Sequence, residues 1–296
     1  MTLSRLDLDG TSSPRGLVTK ILKALPSLSL PMPIEDIARA LDIAEIEEIE
    51  TEGFVGGLVT DDARSSGGIL VQKGLGRQRR RFTIAHELGH FLIPFHRPVT
   101  GEQFMCDSAA MRAWDEKTKK GHYKMEAEAN RFASTLLVPP PLLREFLKSY
   151  RTADMKAAID VHREFDVSKV VAARCYAEYS GERVAFVVTR NGKVLYNFRN
   201  REFPWIVPTN GAPIPSGSRF HSHRGSDISP LLSVGAEHWI ETEFGKRVPF
   251  MKEQVLPQAN GHALIMLWMD VDDDDYDPEE AMTSKQRLEY RTAERS

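Results

Sequence analysis

His86-Glu87-Leu88-Gly89-His90 sets two imidazoles four residues apart with a carboxylate between them. At 3.6 residues per turn the two histidines share one face of a helix and stand one turn apart, close enough to hold one metal ion. Glu87 projects about 100° round the axis from His86, which sets its carboxylate beside such an ion and within reach of water there. That is the position of a general base. A hydrolytic zinc centre takes a third protein ligand, often a carboxylate, and leaves a fourth position open. A pattern with three fixed positions in five also arises by chance, so the flanking sequence has to carry the assignment.

The flanks read as helix. Ile84, Leu88 and Phe91 repeat at the spacing of a buried stripe, and Pro94 ends the helix one residue after Ile93. Gly89 leaves room for a neighbouring backbone. Residues 124–139 form a second helical pattern with the apolar stripe Met125, Ala129, Phe132 and Leu136, and Glu126 and Asn130 share another of its faces. Small side chains at Ala129 and Ala133 suit close packing on the Gly89 side of the first helix. Glu126 then completes the ligand set, and Asn130, one turn on, can hydrogen-bond the outer nitrogen of a ligating histidine and fix its tautomer. Glu128 lies about 200° round from Glu126 and reads as a solvated ion-pair partner on the helix surface.

Arg81-Phe-Thr-Ile-Ala-His-Glu-Leu-Gly-His90, followed by Glu126-x-x-Ala-Asn130-x-Phe-Ala-x-x-Leu-Leu-x-Pro139, resembles the ImmA/IrrE family of zinc metallo-endopeptidases. The likeness runs over about residues 30–180. It implies a thermolysin-like centre in which His86, His90 and Glu126 hold Zn2+ and Glu87 is catalytic. It also implies proteolysis of transcriptional repressors in the cytoplasm, releasing mobile-element or stress-response genes. No repressor-like DNA-binding domain is read in this chain, so the implied substrate is a separately encoded helix-turn-helix repressor. Two rivals stand beside this: a regulator that uses the same metal fold to bind a partner without cleaving it, and a DNA-binding regulator.

At 296 residues the chain has enough length for two cores. Its formal net charge of -3 gives no global field for nucleic acid. Cys106 and Cys175 stand far apart with no redox or metal spacing, which suits a reducing compartment. The first ten residues lack the basic start and apolar stretch of an export signal, and no apolar run reaches membrane-spanning length. The expectation is a cytoplasmic protein without membrane contact.

The fold expected is α+β. Residues 1–138 should form a zincin-like metalloprotease domain, a small sheet beside the active-site helices. Residues 139–180 read as a helical, helix-turn-helix-like segment. Residues 181–270 read as a smaller C-terminal α+β regulatory domain that resembles a GAF-like sensor in topology alone, and residues 271–296 as a disordered charged tail. Within this plan the sequence predicts helices at 14–25 and from 33, a strand at 43–49, and strands at 53–60 and 68–72. Helices follow at 142–150, 153–165 and 168–179. Asn191-Gly192 between apolar runs predicts a type I′ hairpin, followed by a helix over 230–241 and a strand over 262–269.

Five cations at Lys73, Arg77, Arg79, Arg80 and Arg81 precede the first metal helix without interleaved aromatics, and read as a helix entry with acidic partners rather than a nucleic-acid patch. The segment 94–124 joins the two ligand helices. It offers His122 and Tyr123 as possible donors to a transition-state oxyanion, against a plainer reading as loop residues. Cys106 in the same segment reads as a buried thiol, with occupation of the open metal position as the rarer alternative. His221-Ser-His223 puts two imidazoles on one face of a strand, but lacks the following proline and the Ser-x-x-Asp of a JAMM-type zinc site.

Overall fold

The computed structural model describes residues 3–25, 27, 29–98, 103–107, 121–242 and 248–270. The chain divides into one unit of Met1–Leu143 with Val161–Ala172 and a second of Arg144–Asp160 with Ala173–Ser296. The architecture is mixed α+β, with one sheet in each unit. The tail 271–296 expected to be disordered lies outside the described residues.

In the first unit α1 (Pro14–Ala24) starts at an N-cap, Ser13, whose hydroxyl accepts from Gly16 N at 3.2 Å, with proline at the first helical position. After α2 (Ile34–Ala40) come β1 (Ile43–Ile49), β2 (Gly56–Thr60) and β3 (Gly67–Gln72). Helix α3 (Arg77–Leu92) carries the His-Glu-x-x-His motif, β4 (Gln103–Cys106) follows, and α4 (Gly121–Leu137) carries Glu126 and Asn130. The sheet order is β1-β3-β2-β4. Strand β1 runs parallel to β3, whereas β2 is antiparallel to both β3 and β4. Strand β4 is not among the sequence expectations; it is too short and too mixed in polarity to show a period.

Alternation decides which side of this sheet is covered. Along β3, Gly67, Ile69 and Val71 are buried while the intervening residues are half-buried. On α3, Ile84, Leu88 and Phe91 are buried as the stripe predicts. Helices α3 and α4 pack closely at Gly89, where an added Cβ would stand 3.0 Å from a ring carbon of Phe132. The sequence assigned that close approach to Ala129 and Ala133; the side chain that meets the glycine is Phe132.

The basic start of α3 is neutralised. Arg77 pairs with Asp166 at 2.6 Å, Arg81 reaches the same carboxylate at 3.4 Å, and Arg80 bridges Glu48 at 2.7 Å and Glu35. These acids offset the unfavourable placement of cations at a helix N-terminus. At the other end of α3, Arg64 donates from Nη1 to the carbonyls of His90, Phe91 and Ile93, and from Nη2 to that of His96. A guanidinium there satisfies terminal carbonyls and complements the helix dipole.

Helices α5 (Pro140–Leu147), α6 (Met155–Glu164) and α7 (Lys169–Tyr179) come next. The turn between α6 and α7 has Asp166 at φ 51. Val171, Ala172, Ala173, Cys175, Tyr176 and Ala177 of α7 are all buried. A recognition helix needs an open, basic face for a DNA groove, whereas the side of α7 left partly open carries Val170, Arg174 and the exposed Glu178.

The second unit is built on an antiparallel sheet of order β6-β5-β9-β8-β7. Its hairpin of β5 (Arg183–Arg190) and β6 (Lys193–Arg199) turns at Asn191 and Gly192, with φ of 50 and 74, the two positive values a type I′ turn requires. Strands β7 (Leu232–Val234), β8 (Met251–Pro257) and β9 (His262–Met269) complete it. Val187, Val194, Phe203, Trp239, Val255, Ile265 and Leu267 form its core. The expected helix over 230–241 is instead β7 followed by a 3-10 turn at Ala236–His238. Gly235, costly inside a helix, stands at the junction. His221 lies in a 3-10 turn rather than a strand, with Nε2 3.2 Å from the Ile214 carbonyl, and His223 Nε2 is 2.9 Å from the Asp227 carbonyl. The two rings therefore serve backbone groups. Among the described residues, no helix is long and apolar enough to cross a membrane.

Candidate metal centre

His86, Glu87 and His90 are fully buried, because the face of α3 that carries them is covered by α4 and by the sheet. His86 Nδ1 donates to Asn130 Oδ1 at 2.9 Å, which leaves Nε2 with a lone pair. His90 is fixed by a longer chain. Glu128 Oε2 accepts from His96 Nε2 at 3.0 Å, so Nδ1 of a neutral His96 accepts from His90 Nδ1 at 2.9 Å. His90 Nε2 is then also unprotonated. The two Nε2 atoms face each other at 3.1 Å, and Glu126 Oε2 lies 3.1 Å from one and 3.6 Å from the other.

Two ring lone pairs and a carboxylate converging in a dry site require a positive charge between them. A proton meets that need in part. Burial would depress His86, but Glu126 and Glu87 outweigh it and hold its pKa above the usual value. Burial pushes His90 down to about 3, and its neighbour His86 adds to the fall. Glu126 is held well below the usual carboxylate range: burial opposes this, and its contacts with His86 and His90, when those rings carry the proton, override it. A metal ion satisfies all three groups at once, and the ligand atoms of His86, His90, Cys106 and Glu126 all lie within 4.8 Å of one another. The donor set therefore fits a divalent transition metal of the imidazole and carboxylate class.

Glu87 sits beside this cluster, pushed up to about 7 by burial, with Glu126 adding to the shift and His86 opposing it. Its Oε1 is buried and has no hydrogen-bond partner among the described residues. The space for that oxygen is made by Gly56, where an added Cβ would stand 2.5 Å from Glu87 Oε1 and 2.5 Å from Thr83 Cγ2. Gly56→Ala is accordingly expected to displace Glu87 and to destabilise the fold by about 1–3 kcal/mol, the usual cost of forcing extra volume into a packed site. Urea denaturation reads the second effect; an unchanged midpoint would show that the site yields without strain.

Each residue singled out in the sequence has a place here. His86, His90 and Glu126 come together, Glu87 flanks them, and Asn130 bonds His86. His122 is partly exposed, with Nδ1 3.6 Å from Glu126 Oε1, and the Tyr123 ring centroid is 5.8 Å from that of His122. Asn130→Ala should lower metal affinity about 10–100-fold, as losing the partner of a ligating histidine usually does. Chelator competition measures it, and unchanged affinity would remove Asn130 from the support of His86.

Sequence reasoning missed His96 and Arg64, and gave Cys106 a place at the metal only as the rarer alternative. His96 is buried and links His90 to Glu128; half-buried Glu128 is an ion-pair partner, of Lys124 at 3.8 Å, and also the anchor of a buried imidazole. Its pKa is held down by the hydrogen bond from His96. Arg64 ties the end of α3 to the segment carrying His96. Cys106 is buried, as read from sequence, and its Sγ is 3.8 Å from Glu87 Oε2, 3.7 Å from His90 Nε2 and 4.0 Å from Glu126 Oε1. His96 lies six residues beyond His90, past Pro94, where no helical spacing relates the two.

Residues 45–175 match Peptidase_M78, the IrrE N-terminal-like domain. That likeness is to a domain, and it covers these residues alone. The IrrE N-terminal-like domain thus spans the sheet, both ligand helices and α5 to most of α7, and it brings a peptidase-type fold. A solved Mycobacterium tuberculosis transcriptional regulator is similar in fold, with TM-score 0.51 and 12% identity over 91% of this chain and 80% of that one. No curated protein matches the sequence.

Proposed function

We propose that the protein is a zinc-dependent endopeptidase whose substrate is a separately encoded helix-turn-helix transcriptional repressor, so that cleavage switches on mobile-element or stress-response genes. The observation that carries the reading is the convergence of His86 Nε2, His90 Nε2 and Glu126 Oε2 with the Glu87 carboxylate beside them. The IrrE N-terminal-like domain supports it, as does the Mycobacterium tuberculosis transcriptional regulator of similar fold.

His86, His90 and Glu126 would hold the ion. When bound, zinc supplies Lewis-acid polarisation of a peptide carbonyl and acidifies water at the site. Glu87 takes the proton from the attacking water and returns it to the leaving amine; a carboxyl pushed up to about 7 is suited to both tasks near neutral pH. His122 and Tyr123 supply donors for the developing oxyanion. The peptide lies along β4, the last strand in its sheet order, by adding to that edge. Phe104 and Cys106 on the buried face of β4 point to the metal side while Met105 is exposed. Residues 181–270 act as a regulatory, GAF-like sensor rather than as part of the chemistry.

The test is to incubate the zinc-loaded full chain with the transcription factor encoded beside its gene and to follow intact masses. Two new fragments summing to the substrate plus water are expected. A partner that binds but stays whole would establish the rival, a non-cleaving regulator. One observation favours that rival, the Cys106 thiol lying against the metal ligands, since a centre with four protein ligands is closed to water.

A further inference from the structure

Pairing in the sheet sets Cys106 of β4 opposite Gly56 of β2. Gly56 is the residue whose missing side chain makes room for Glu87, so the same register that admits the carboxylate also brings the thiol to the metal face. Phe104, two residues earlier on the same face, stacks at 4.9 Å against the His90 ring and fixes the strand's position along α3. Cys106 is buried beside two carboxylates and an imidazole, an environment that a thiol serving only as core packing does not need.

The spacings decide what it does there. A tetrahedral zinc with sulfur at about 2.3 Å and nitrogen at about 2.0–2.1 Å sets sulfur and nitrogen about 3.5–3.6 Å apart, and two nitrogens about 3.3–3.4 Å apart. Cys106 Sγ stands 3.7 Å from His90 Nε2, and the two histidine nitrogens stand 3.1 Å apart. Glu126 Oε2 lies 3.1 Å and 3.6 Å from those nitrogens. Cys106 Sγ is thus about as far from His90 Nε2 as a shared tetrahedral zinc requires, and its distances to the other ligand atoms of the group stay within 4.8 Å. A second sign is that both Nε2 atoms, fully buried, have their lone pairs aimed into that group by Asn130 and by the His96–Glu128 pair.

We infer that Cys106 is a fourth protein ligand of the resting metal centre, occupying the position a peptide carbonyl or water would need, and that its detachment opens the site. The inference rests on the metal-centre reading above. It reconciles a closed ligand set with the presence of Glu87: the thiolate and the substrate compete for one coordination position, so the resting protein is latent and turnover requires the cysteine to leave. Cys175, buried in α7, is not among the grouped ligand atoms and does not share this role.

Cobalt(II) reports the ligand directly, because it occupies zinc sites and a thiolate bonded to it gives an intense near-ultraviolet charge-transfer band that imidazole and carboxylate do not give. Full-chain protein loaded with one equivalent of cobalt is expected to show that band, and Cys106→Ala to lose it while keeping the weaker visible bands of the remaining ligands. The variant should also surrender metal to a chelator at least about tenfold faster, since even losing a partner of a ligand costs about 10–100-fold in affinity. Stoichiometric cobalt without the charge-transfer band in the wild type overturns the fourth ligand and leaves the three-ligand centre intact. Failure to bind cobalt at all overturns the metal reading and this inference together.

Discussion

Glu87→Gln is expected to retain metal at the wild-type level and to lose about 10²–10⁴-fold in hydrolysis, the usual contribution of a positioned acid–base group. The amide has the size of the carboxyl, so it fills the space Gly56 leaves without disturbing His86, His90 or Glu126. It cannot take a proton from water. Burial opposes the charged form of Glu87, as its shift to about 7 records, so a neutral amide should cost little stability. Metal content by elemental analysis and cleavage by intact mass separate the two effects in one preparation. Wild-type rates in a fully loaded mutant would reject Glu87 as the base. If wild type and mutant alike bind the partner without cutting it, the regulatory reading replaces the peptidase.

The centre was legible in sequence wherever helical periodicity relates the residues. His86 and His90 are one turn apart on α3, and Glu126 and Asn130 are one turn apart on α4, so each pair had to share a face. What bound the two pairs together was the expectation that Gly89 marks the contact between the helices, and the Phe132 ring does meet it. Nothing periodic relates His90 to His96, because the chain leaves the helix at Ile93 and the two rings meet only once Arg64 has gathered the carbonyls of both. Cys106 could be given the metal position only as the rarer alternative for a similar reason. Its place depends on strand β4, four residues long and recognisable only from its partner β2.

In the second unit the hairpin was readable from Asn191-Gly192, whereas β8 was masked by its own core. Glu253 and Gln254 lie mid-strand and are buried, which reverses the polarity a sequence reading relies on. Both are satisfied by partners distant in sequence. Glu253 accepts from Ser218 Oγ at 2.6 Å and from Trp239 Nε1 at 3.0 Å, and Gln254 accepts from Met155 N at 2.7 Å. The Trp239 bond also accounts for the misread helix at 230–241: the spacing of Ala236, Trp239 and Ile240 looks helical, but it is a single 3-10 turn that turns these side chains into the core. Buried polar networks of this kind specify a fold through pairing that no local period records.

The two carboxylates of α4 provide the sharpest remaining separation. Glu126→Ala removes a group whose Oε2 lies 3.1 Å and 3.6 Å from the two facing imidazole nitrogens, so the ion loses a direct ligand and the protein should emerge from dialysis essentially without metal. Glu128→Ala removes no ligand. It strips the acceptor from His96 Nε2, leaving a buried donor unpaired at a cost of about 1–3 kcal/mol, and frees His90 to rotate. That variant should fold with a lowered melting temperature and bind metal about 10–100-fold more weakly, the scale expected for a residue acting through a ligand. The order of bound metal is therefore wild type, then Glu128→Ala, then Glu126→Ala. Glu126→Ala also costs stability in metal-free protein, because the buried rings that hold its pKa down lose their carboxylate partner. Stoichiometric metal in Glu126→Ala would dismantle the ligand set. Unchanged stability and affinity in Glu128→Ala would instead cut the His96 chain from the centre and return Glu128 to the helix surface.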